Sequence, residues 1–398
     1  MLCGRAGELS LPRPDEFIPL PEESEFFLLP GRRALGLDPE SGQVEVLEES
    51  AVAAFVAPGY TLTAHAAFEK DPGAPVLPLF AYGAVGFAEG RFWVCAKQVD
   101  EDKRQVFCGI PRARIEKGAQ EMLRDLPDNR LVRHLTHCAL TYGCPAARNL
   151  ALGRFEAPLP TSRVCNARCL GCISLQEAPE CCPSSQERIT FVPTVEELCQ
   201  VAVPHLQQAE NAIVSFGQGC EGDPILQADV ICDAIRSMRC QTARGTINFN
   251  SNASDPDAVE RLADAGLDSI RVSMNSVLEE AYQAYHRPCG YTLEQVRESL
   301  RRAKARGLFT MLNYLVFPGL SDRREEIDAL VRLVEETGID LIQMRNLSID
   351  PQLYLNALDV RGEGIGMASM LAEIKQRVPR IQFGYFNRTR DNFFPAGY

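Results

Sequence analysis

The stretch GTINFNSNASDPDAVERLADAGLDSIRVSMN, residues 245–275, contains a complete strand–helix–strand unit. Its first run, GTINFNSN, is short and β-prone, and the helical run after it starts with an Asp cap signal and ends at glycine. A second short run, DSIRVSMN, follows the helix. Strands joined in this way pair in parallel, with a right-handed crossover. The unit therefore predicts an α/β fold.

The same alternation extends on both sides of this unit. Counting SRV as the first strand, the pattern predicts six strands with five intervening helices within residues 156–350. This regularity favours a partial (β/α)6 TIM-like barrel over an open doubly wound sheet. Residues 1–155, with short apolar runs and a helix near 116–126, are expected to form a mostly β, mixed N-terminal domain. Residues 351–398 are expected to add a C-terminal helix and strand that complete or cover the barrel.

Composition restricts the class of protein. The 398 residues carry a formal net charge of -12, which disfavours a broad face for duplex nucleic acid. No run approaches the roughly 18 apolar residues of a membrane helix, and the start lacks an apolar signal region, so a cytoplasmic protein without a membrane span is expected. Residues 1–50 are rich in Pro, Glu and Gly, and their order is doubtful. Fifteen cysteines point to metal or redox chemistry.

Three of these cysteines lie close together in RVCNARCLGC, residues 163–172. Cys165, Cys169 and Cys172 follow the predicted first strand, at the end of the barrel where chemistry collects. Iron–sulfur clusters usually take four thiolates, so three from one loop leave one iron of a four-iron cluster open to an external ligand. The alternative is a zinc knuckle completed by Cys181 or Cys182.

The spacing CxxxCxxC at this position resembles the radical S-adenosylmethionine (SAM) superfamily. The resemblance implies a [4Fe-4S] cluster on Cys165, Cys169 and Cys172, with the open iron chelated by S-adenosylmethionine. It also implies an oxygen-sensitive enzyme that takes an electron from a donor such as flavodoxin or ferredoxin. That enzyme would cleave the cofactor to a 5′-deoxyadenosyl radical and abstract hydrogen from a substrate. Farther on, AYHRPCGYTLEQV is similar to the same region in molybdopterin GTP cyclases of this superfamily.

The resemblance extends to the ends of the later strands. SFGQGCEGDP is similar to the family's Gly-Gly-Glu-Pro element, which contacts the amino group of the cofactor. The acidic role is left open between Asp223 and Glu221. Ribose or carboxylate contacts are expected from the later strands, and Arg345 is a candidate for a substrate or cofactor carboxylate. The positions expected to bind the cofactor are Gly219, Glu221, Gly222, Asp223, Asn250, Ser273, Asn275 and Arg345.

Gly171 departs from the family pattern, because many relatives carry an aromatic residue there that packs against adenine. Without it, we expect adenine to contact Ile173 and the rim of the fifth strand.

A second iron–sulfur cluster is a separate hypothesis. Its candidate ligands are either Cys138 and Cys144 with Cys95 and Cys108, or Cys181 and Cys182. Among the histidines, His134 and His137 are the best candidates for metal ligands, because they lie beside Cys138.

The substrate is not indicated: a small molecule, a peptide and an RNA all remain open. Two alternative functions come from other classes. One is an activase that makes a glycyl radical on a partner protein, which the large N-terminal unit disfavours. The other is a non-catalytic zinc- or cluster-binding interaction module, which the polar strand ends disfavour.

Overall fold

The structure, a computed structural model, describes residues 2–38, 40–176, 184–358 and 363–395. Its N-terminal part consists of antiparallel strands. They are β1 (Cys3–Arg5), β2 (Glu8–Ser10), β3 (Ile18–Pro19), β4 (Glu25–Leu37), β5 (Val44–Phe55), β6 (Tyr60–Leu62), β7 (His65–Ala66), β8 (Phe68–Lys70), β9 (Gly83–Ala88), β10 (Arg91–Val94) and β11 (Ala96–Gln98). β6 and β11 pair with each other, and the other strands join one sheet.

The composition of residues 1–50 made it doubtful that they are ordered. For the described part of this region that expectation is wrong. β4 and β5 pair as a long antiparallel hairpin. The turn between them is supported by Asp38, whose N–H donates to the carbonyl of Gln43 at 2.9 Å. Valine, phenylalanine and leucine in these two runs favour the extended backbone, and pairing outweighs the Pro and Glu content of the region.

Three helices link this sheet to the rest of the chain. They are α1 (Arg112–Asp125), α2 (Arg130–Leu140) and α3 (Pro145–Ala151). The helix predicted near 116–126 is therefore present as α1. The side chain of Asn129 caps α2 by accepting a hydrogen bond from the N–H of Val132 at 3.0 Å.

Residues from 156 onward form a parallel sheet of seven strands in sequential order, wrapped by helices, so the predicted α/β partial barrel is confirmed. The strands are β12 (Glu156–Pro158), β13 (Ile213–Phe216), β14 (Thr246–Ser251), β15 (Ser269–Met274), β16 (Phe309–Val316), β17 (Leu341–Asn346) and β18 (Gln382–Gly384). The helices are α4 (Val195–Gln208), α5 (Ala228–Gln241), α6 (Pro256–Ala265), α7 (Glu279–His286), α8 (Leu293–Ala305), α9 (Arg324–Thr337), α10 (Pro351–Leu358) and α11 (Met367–Arg377).

The sheet differs from the prediction at its first edge, where the first strand is β12, not SRV. At the other edge β18 follows α11, within residues 351–398, for which a C-terminal helix and strand were expected. SRV instead pairs with a loop, because the N–H of Gly222 donates to the carbonyl of Ser162 and that of Asp223 to the carbonyl of Val164. Pro160 has no N–H to donate to the sheet, which favours the end of the strand before it.

The strand–helix–strand unit of residues 245–275 forms as predicted. Asp255 caps α6 by accepting from the N–H groups of Asp257 and Ala258, both at 3.0 Å. Gly266 ends the helix in the left-handed region, with φ of 109°. The side chains of β14 alternate, so Ile247 and Phe249 join the core under the helices, and the asparagines between them face the other side of the sheet.

The N-terminal sheet packs on the carboxyl ends of β16 and β17. The rings of His65 and Phe317 lie 4.3 Å apart. The side chain of Asn346 accepts from the N–H of Leu62 at 2.7 Å and donates to the carbonyl of Tyr60 at 2.9 Å. The two parts of the chain are therefore joined at the rim of the barrel.

A buried ion pair fixes this joint. The guanidinium of Arg32 and the carboxylate of Asp350 lie 2.6 Å apart, with side chains 0% and 1% exposed. Arg32 also donates to the carbonyls of Pro30 and Pro75, so its charge is compensated on several sides.

Among the described residues, no helix is both long and apolar enough to cross a membrane.

Replacing Arg32 with Ala should lower the free energy of unfolding by about 3–5 kcal/mol, because the buried carboxylate of Asp350 loses its cation. Urea denaturation measures this change. The matched control is Arg33→Ala, whose pair with Asp71 is 43% and 40% exposed, and which should cost less than about 1 kcal/mol. Equal losses in the two variants would contradict the role of the buried pair.

Candidate active site

The three motif cysteines lie on one loop after β12, beyond the carboxyl end of the parallel sheet. Burial raises the pKa of Cys165 to about 12 and raises that of Cys169 well above its ordinary value, with the charges of Cys165 and Cys172 adding to the effect. Buried thiols of this kind stay protonated unless a cation stabilises the thiolates. The loop therefore presents three neighbouring ligands suited to a metal centre.

The cysteine loop is held against the C-terminal end of α7. The N–H of Arg168 donates to the carbonyl of His286 at 2.9 Å, and the N–H of Leu170 donates to the carbonyl of Tyr285 at 3.0 Å. These backbone bonds lie on either side of Cys169 and fix its position relative to the helix.

Two nitrogen groups reach the cysteine sulfurs, and sequence reasoning identified neither. Nδ1 of His286 lies 3.4 Å from Sγ of Cys169, and the guanidinium of Arg188 donates to Sγ of Cys172 at 3.7 Å. Burial lowers the pKa of His286 to about 3, so its imidazole is neutral. The only signal for His286 was the likeness of AYHRPCGYTLEQV to the cyclases.

Glu221 lies on the loop after β13 and is 3% exposed. Its carboxylate accepts three backbone N–H bonds, from Thr161 at 2.7 Å, Ser162 at 2.8 Å and Gln218 at 2.7 Å. Burial nevertheless raises the pKa of Glu221 to about 8. Glu221 thereby ties its own loop to the segment that leads into the cysteines.

Asp223 connects the same loop to the end of β14. It accepts from the hydroxyl of Ser251 at 2.6 Å and from the N–H of Asn252 at 2.7 Å. Burial raises the pKa of Asp223, and its charge in turn raises the pKa of Cys165 and Cys169. Of the two predicted acids, Asp223 is the one that acts on the cysteines.

Neither Glu221 nor Asp223 forms an ion pair within the described part of the chain. Two buried carboxyl groups without an ion-pair partner, beside three partly buried thiols, form a site that becomes negatively charged once these groups ionise. Such a donor set fits an iron–sulfur cluster and a cationic cofactor such as S-adenosylmethionine.

The glycines of this loop allow close backbone contact. At Gly222 a Cβ would lie 1.9 Å from the carbonyl oxygen of Val164, so no other residue fits there without moving the backbone. At Gly219 a Cβ would meet only side-chain ends, Cδ1 of Ile173 at 2.5 Å and Oε1 of Gln186 at 3.0 Å. Gly222 is therefore the glycine that the contact with the cysteine loop requires.

Asn250 and Ser273 take part in hydrogen bonds between neighbouring strands. Asn250 donates to the carbonyl of Gly217 at 2.9 Å and accepts from Asn248 at 2.8 Å. The hydroxyl of Ser273 accepts from the amide of Asn313 at 3.0 Å. These two candidate cofactor residues therefore have hydrogen-bond partners within the barrel itself.

Asn275 is buried between helices. Its amide donates to the carbonyl of Ala281 and to the hydroxyl of Tyr354, both at 3.0 Å. Its Oδ1 is buried and has no partner among the described residues, and this atom is left for a ligand.

Arg345 and Arg271 place two positive charges inside the barrel. Arg345 donates to the carbonyl of Tyr385 at 3.1 Å, and its guanidinium carbon lies 4.1 Å from the centre of that ring. Arg271, which the sequence analysis missed, donates to Gln343 at 3.2 Å. β15 and β17 lie on either side of β16, so this bond passes over the inner face of β16. Burial and the charge of Arg345 lower the pKa of Arg271 to about 9.

Tyr285 fills the space beside Gly171. A Cβ at Gly171 would lie 3.1 Å from the hydroxyl of Tyr285 and 3.6 Å from Cδ1 of Ile349. An aromatic ring from α7 therefore lies next to the position at which many relatives are expected to carry an aromatic residue on the cysteine loop.

Two of the proposed second-cluster cysteines lie apart from the rest. Cys95 packs against Cys3 in an apolar cluster of the N-terminal sheet, and Cys108 is exposed. The alternative pair, Cys181 and Cys182, lies outside the described residues. The grouping of Cys95 with Cys138 is wrong, because the two thiols belong to different apolar clusters.

Cys138 and Cys144 do lie together, and Cys220 joins them. The imidazole of His134 and the thiols of Cys138 and Cys220 lie within 4.8 Å of one another. His137 instead bonds to the hydroxyl of Thr141 at 3.1 Å. Sequence reasoning missed Cys220 because it was considered only as part of the loop after β13.

Comparison with known proteins finds a similarity that lies in the barrel. Residues 159–334 match the family model of the radical SAM superfamily. A GTP 3′,8-cyclase of Listeria monocytogenes serotype 4b is 26% identical over 44% of this chain and 49% of its own length. The FeMo cofactor biosynthesis protein NifB of Klebsiella pneumoniae is 26% identical over 41% of this chain and 37% of its own length. The chain thus spans about half or less of the length of these two relatives.

Among solved structures, HydG, a maturase of the [FeFe]-hydrogenase, matches 71% of this chain and 68% of its own, with a TM-score of 0.41 and 18% identity.

Replacing Gly222 with Ala should cost about 1–3 kcal/mol of stability and most of the iron bound after anaerobic reconstitution, because the backbone around Cys165 must move. Gly219→Ala is the matched control. It should bind iron like the unmodified protein, because the added Cβ displaces only the ends of the side chains of Ile173 and Gln186. Iron per chain and urea denaturation measure the two effects. Full iron content in the Gly222 variant would contradict the role of this contact.

Proposed function

We propose that this chain, whose residues 159–334 match the radical SAM family model, is an enzyme that cleaves S-adenosylmethionine reductively and abstracts hydrogen from a substrate. The observation that carries the proposal is the convergence of Cys165, Cys169 and Cys172 at the carboxyl end of a parallel barrel, beside two buried carboxylates. A bound [4Fe-4S] cluster with S-adenosylmethionine supplies one-electron cleavage and a hydrogen-abstracting radical. The protein's part is ligation, orientation and exclusion of side reactions.

Cys165, Cys169 and Cys172 hold the cluster in this proposal, and the two nitrogen groups adjust it. Nδ1 of His286 lies 3.4 Å from the sulfur of Cys169 and would donate a neutral hydrogen bond to a thiolate there, and the charge of Arg188 lies beside Cys172. Hydrogen bonds to ligand sulfurs stabilise the more negative, reduced state of a cluster and so raise its potential. The electron comes from a donor such as a reduced flavodoxin or ferredoxin.

Asp223 is the carboxylate we assign to the amino group of the cofactor. Its charge acts on Cys165 and Cys169, whereas Glu221 is occupied by three backbone N–H groups that position the loop. The orphaned Oδ1 of Asn275 is a further acceptor for the cofactor. Tyr285 and Ile349, beside Gly171, give the adenine an apolar surface.

The substrate we propose is a small anionic molecule. Arg271 and Arg345 face the interior, and Nε of Arg271 is buried without a partner among the described residues. Glu156 is the acid whose charge acts on Arg271, and it is hydrogen bonded to Ser215 at 2.5 Å. An arginine pair binds phosphate or carboxylate groups well. The N-terminal sheet covers part of the rim, which favours a small substrate over a macromolecule.

Anaerobically reconstituted protein should release 5′-deoxyadenosine when it is given dithionite and S-adenosylmethionine, and Cys169→Ala should reduce release to that of a protein-free mixture. The matched control is Cys240→Ala, an exposed cysteine on α5, which should retain release. Chromatography of the nucleosides measures the product. A protein that takes up iron yet releases no 5′-deoxyadenosine, or a Cys169 variant that still does, contradicts the proposal.

An anionic substrate should stimulate the release of 5′-deoxyadenosine. Metabolites that have this effect should therefore be retained by an anion-exchange column. In the Arg271→Met variant, half-maximal stimulation should require about 10- to 100-fold more of the retained fraction. This factor corresponds to the loss of one charge-assisted hydrogen bond to the substrate. Arg236→Met, on the outer surface of α5, is the control and should leave that amount unchanged. Stimulation found only in the unretained fraction would refute an anionic substrate without bearing on cofactor cleavage.

A further inference from the structure

A second group of metal-ligating side chains lies outside the cysteine loop, between α2 and the loop after β13. The imidazole of His134 and the thiols of Cys138 and Cys220 lie within 4.8 Å of one another. His134 and Cys138 are one helical turn apart on α2, with Nε2 3.5 Å from Sγ, and residues at this spacing share one face of a helix. Cys220 comes from the other side, immediately before Glu221.

A fourth ligand is available in the same cluster. Cys144 packs against the apolar cluster that contains Cys138 and Cys220, and its N–H donates to the carbonyl of Cys138 at 3.1 Å. Its thiol is not among the ligand atoms that lie within 4.8 Å of one another, so its side chain must move to complete the site. Three thiols and one imidazole form a common ligand set for structural zinc.

We propose that His134, Cys138, Cys144 and Cys220 bind a single zinc ion. The compactness of the group favours one ion over an iron–sulfur cluster. Ligands of a tetrahedral zinc lie about 3.3–3.8 Å apart, given bonds of about 2.0–2.3 Å. In a four-iron cluster each sulfur binds a different iron, so the ligands are spread more widely than this group. Binding of Zn²⁺ releases the three thiol protons to solvent.

The position of the site gives it a structural consequence. α2 belongs to the helices that precede the barrel, and Cys220 belongs to the loop whose Glu221 holds Thr161 and Ser162. A zinc ion here cross-links the two and fixes the residue next to Glu221. The loop that positions the three-cysteine motif is then anchored from outside the barrel.

The test uses the full chain with Cys165, Cys169 and Cys172 replaced by Ala, so that the motif holds no metal. This protein should contain one zinc per chain by mass spectrometry of the metals, and Co²⁺ added to the stripped protein should give the visible bands of tetrahedral, thiolate-bound cobalt. Adding Cys138→Ser or Cys220→Ser should abolish both signals. Adding Cys144→Ser should lower Zn²⁺ affinity at least about tenfold.

The matched control is Cys232→Ser, a buried thiol in the core on α5, which should retain the zinc. Three outcomes overturn the proposal: no bound metal in the triple variant, iron with sulfide in place of zinc, or unreduced protein lighter by two hydrogens because Cys138 and Cys220 form a disulfide. Unchanged Zn²⁺ affinity in the Cys144 variant overturns the four-ligand site. None of these outcomes depends on whether the protein cleaves S-adenosylmethionine.

Discussion

The geometry of the site depends on one close backbone contact, between the loop after β13 and residues 161–164. The N–H of Gly222 donates to the carbonyl of Ser162 at 2.7 Å, and that of Asp223 donates to the carbonyl of Val164 at 2.9 Å. Gly222 permits this approach because it has no Cβ, and Glu221 reinforces it by accepting the N–H groups of Thr161 and Ser162. The segment before Cys165 is therefore fixed to an acidic loop instead of to a strand. The same contact sets the distance between Asp223 and the thiols.

Residues 161–164 are fixed by this contact, and the rest of the cysteine loop, from Cys165 onward, is also held in place. The amide of Asn252, at the end of β14, donates to the side chain of Asn166 at 2.7 Å, and the backbone around Cys169 bonds to the end of α7. The loop is thus held between the sheet and α7 by hydrogen bonds of the protein itself. Ligands held in advance lose little entropy on binding, which is the usual advantage of a preorganised site. Gly171 belongs to the same arrangement, because any side chain there would press against Tyr285.

Local patterns predicted most of the fold and part of the site. Capping residues, glycines and short apolar runs act over a few positions. They were therefore enough to predict the alternation of strands and helices, α6 and the three-cysteine loop. The first strand was misplaced because SRV looks extended, and its pairing with a loop depends on Gly222, far along the chain. Arg271 looked like an ordinary strand residue, and its position follows only from the packing of its side chain over β16 toward Gln343 on β17. The proximity of Cys138 to Cys220 depends on how α2 packs, and no local sequence motif predicts that packing.

The charges of the interior are opposite in sign to the charge of the whole protein. The chain carries a formal net charge of -12, yet Arg271 and Arg345 face a polar barrel interior, with Glu156 as the acid whose charge acts on Arg271. Burying a cation without a full counter-charge is costly, and Nε of Arg271 has no partner in the described part of the chain. An anionic substrate would compensate this charge and at the same time be drawn toward the carboxyl ends of the strands. The cysteine loop lies at those ends, so the residue pair that binds the substrate would also direct it toward the site of hydrogen abstraction.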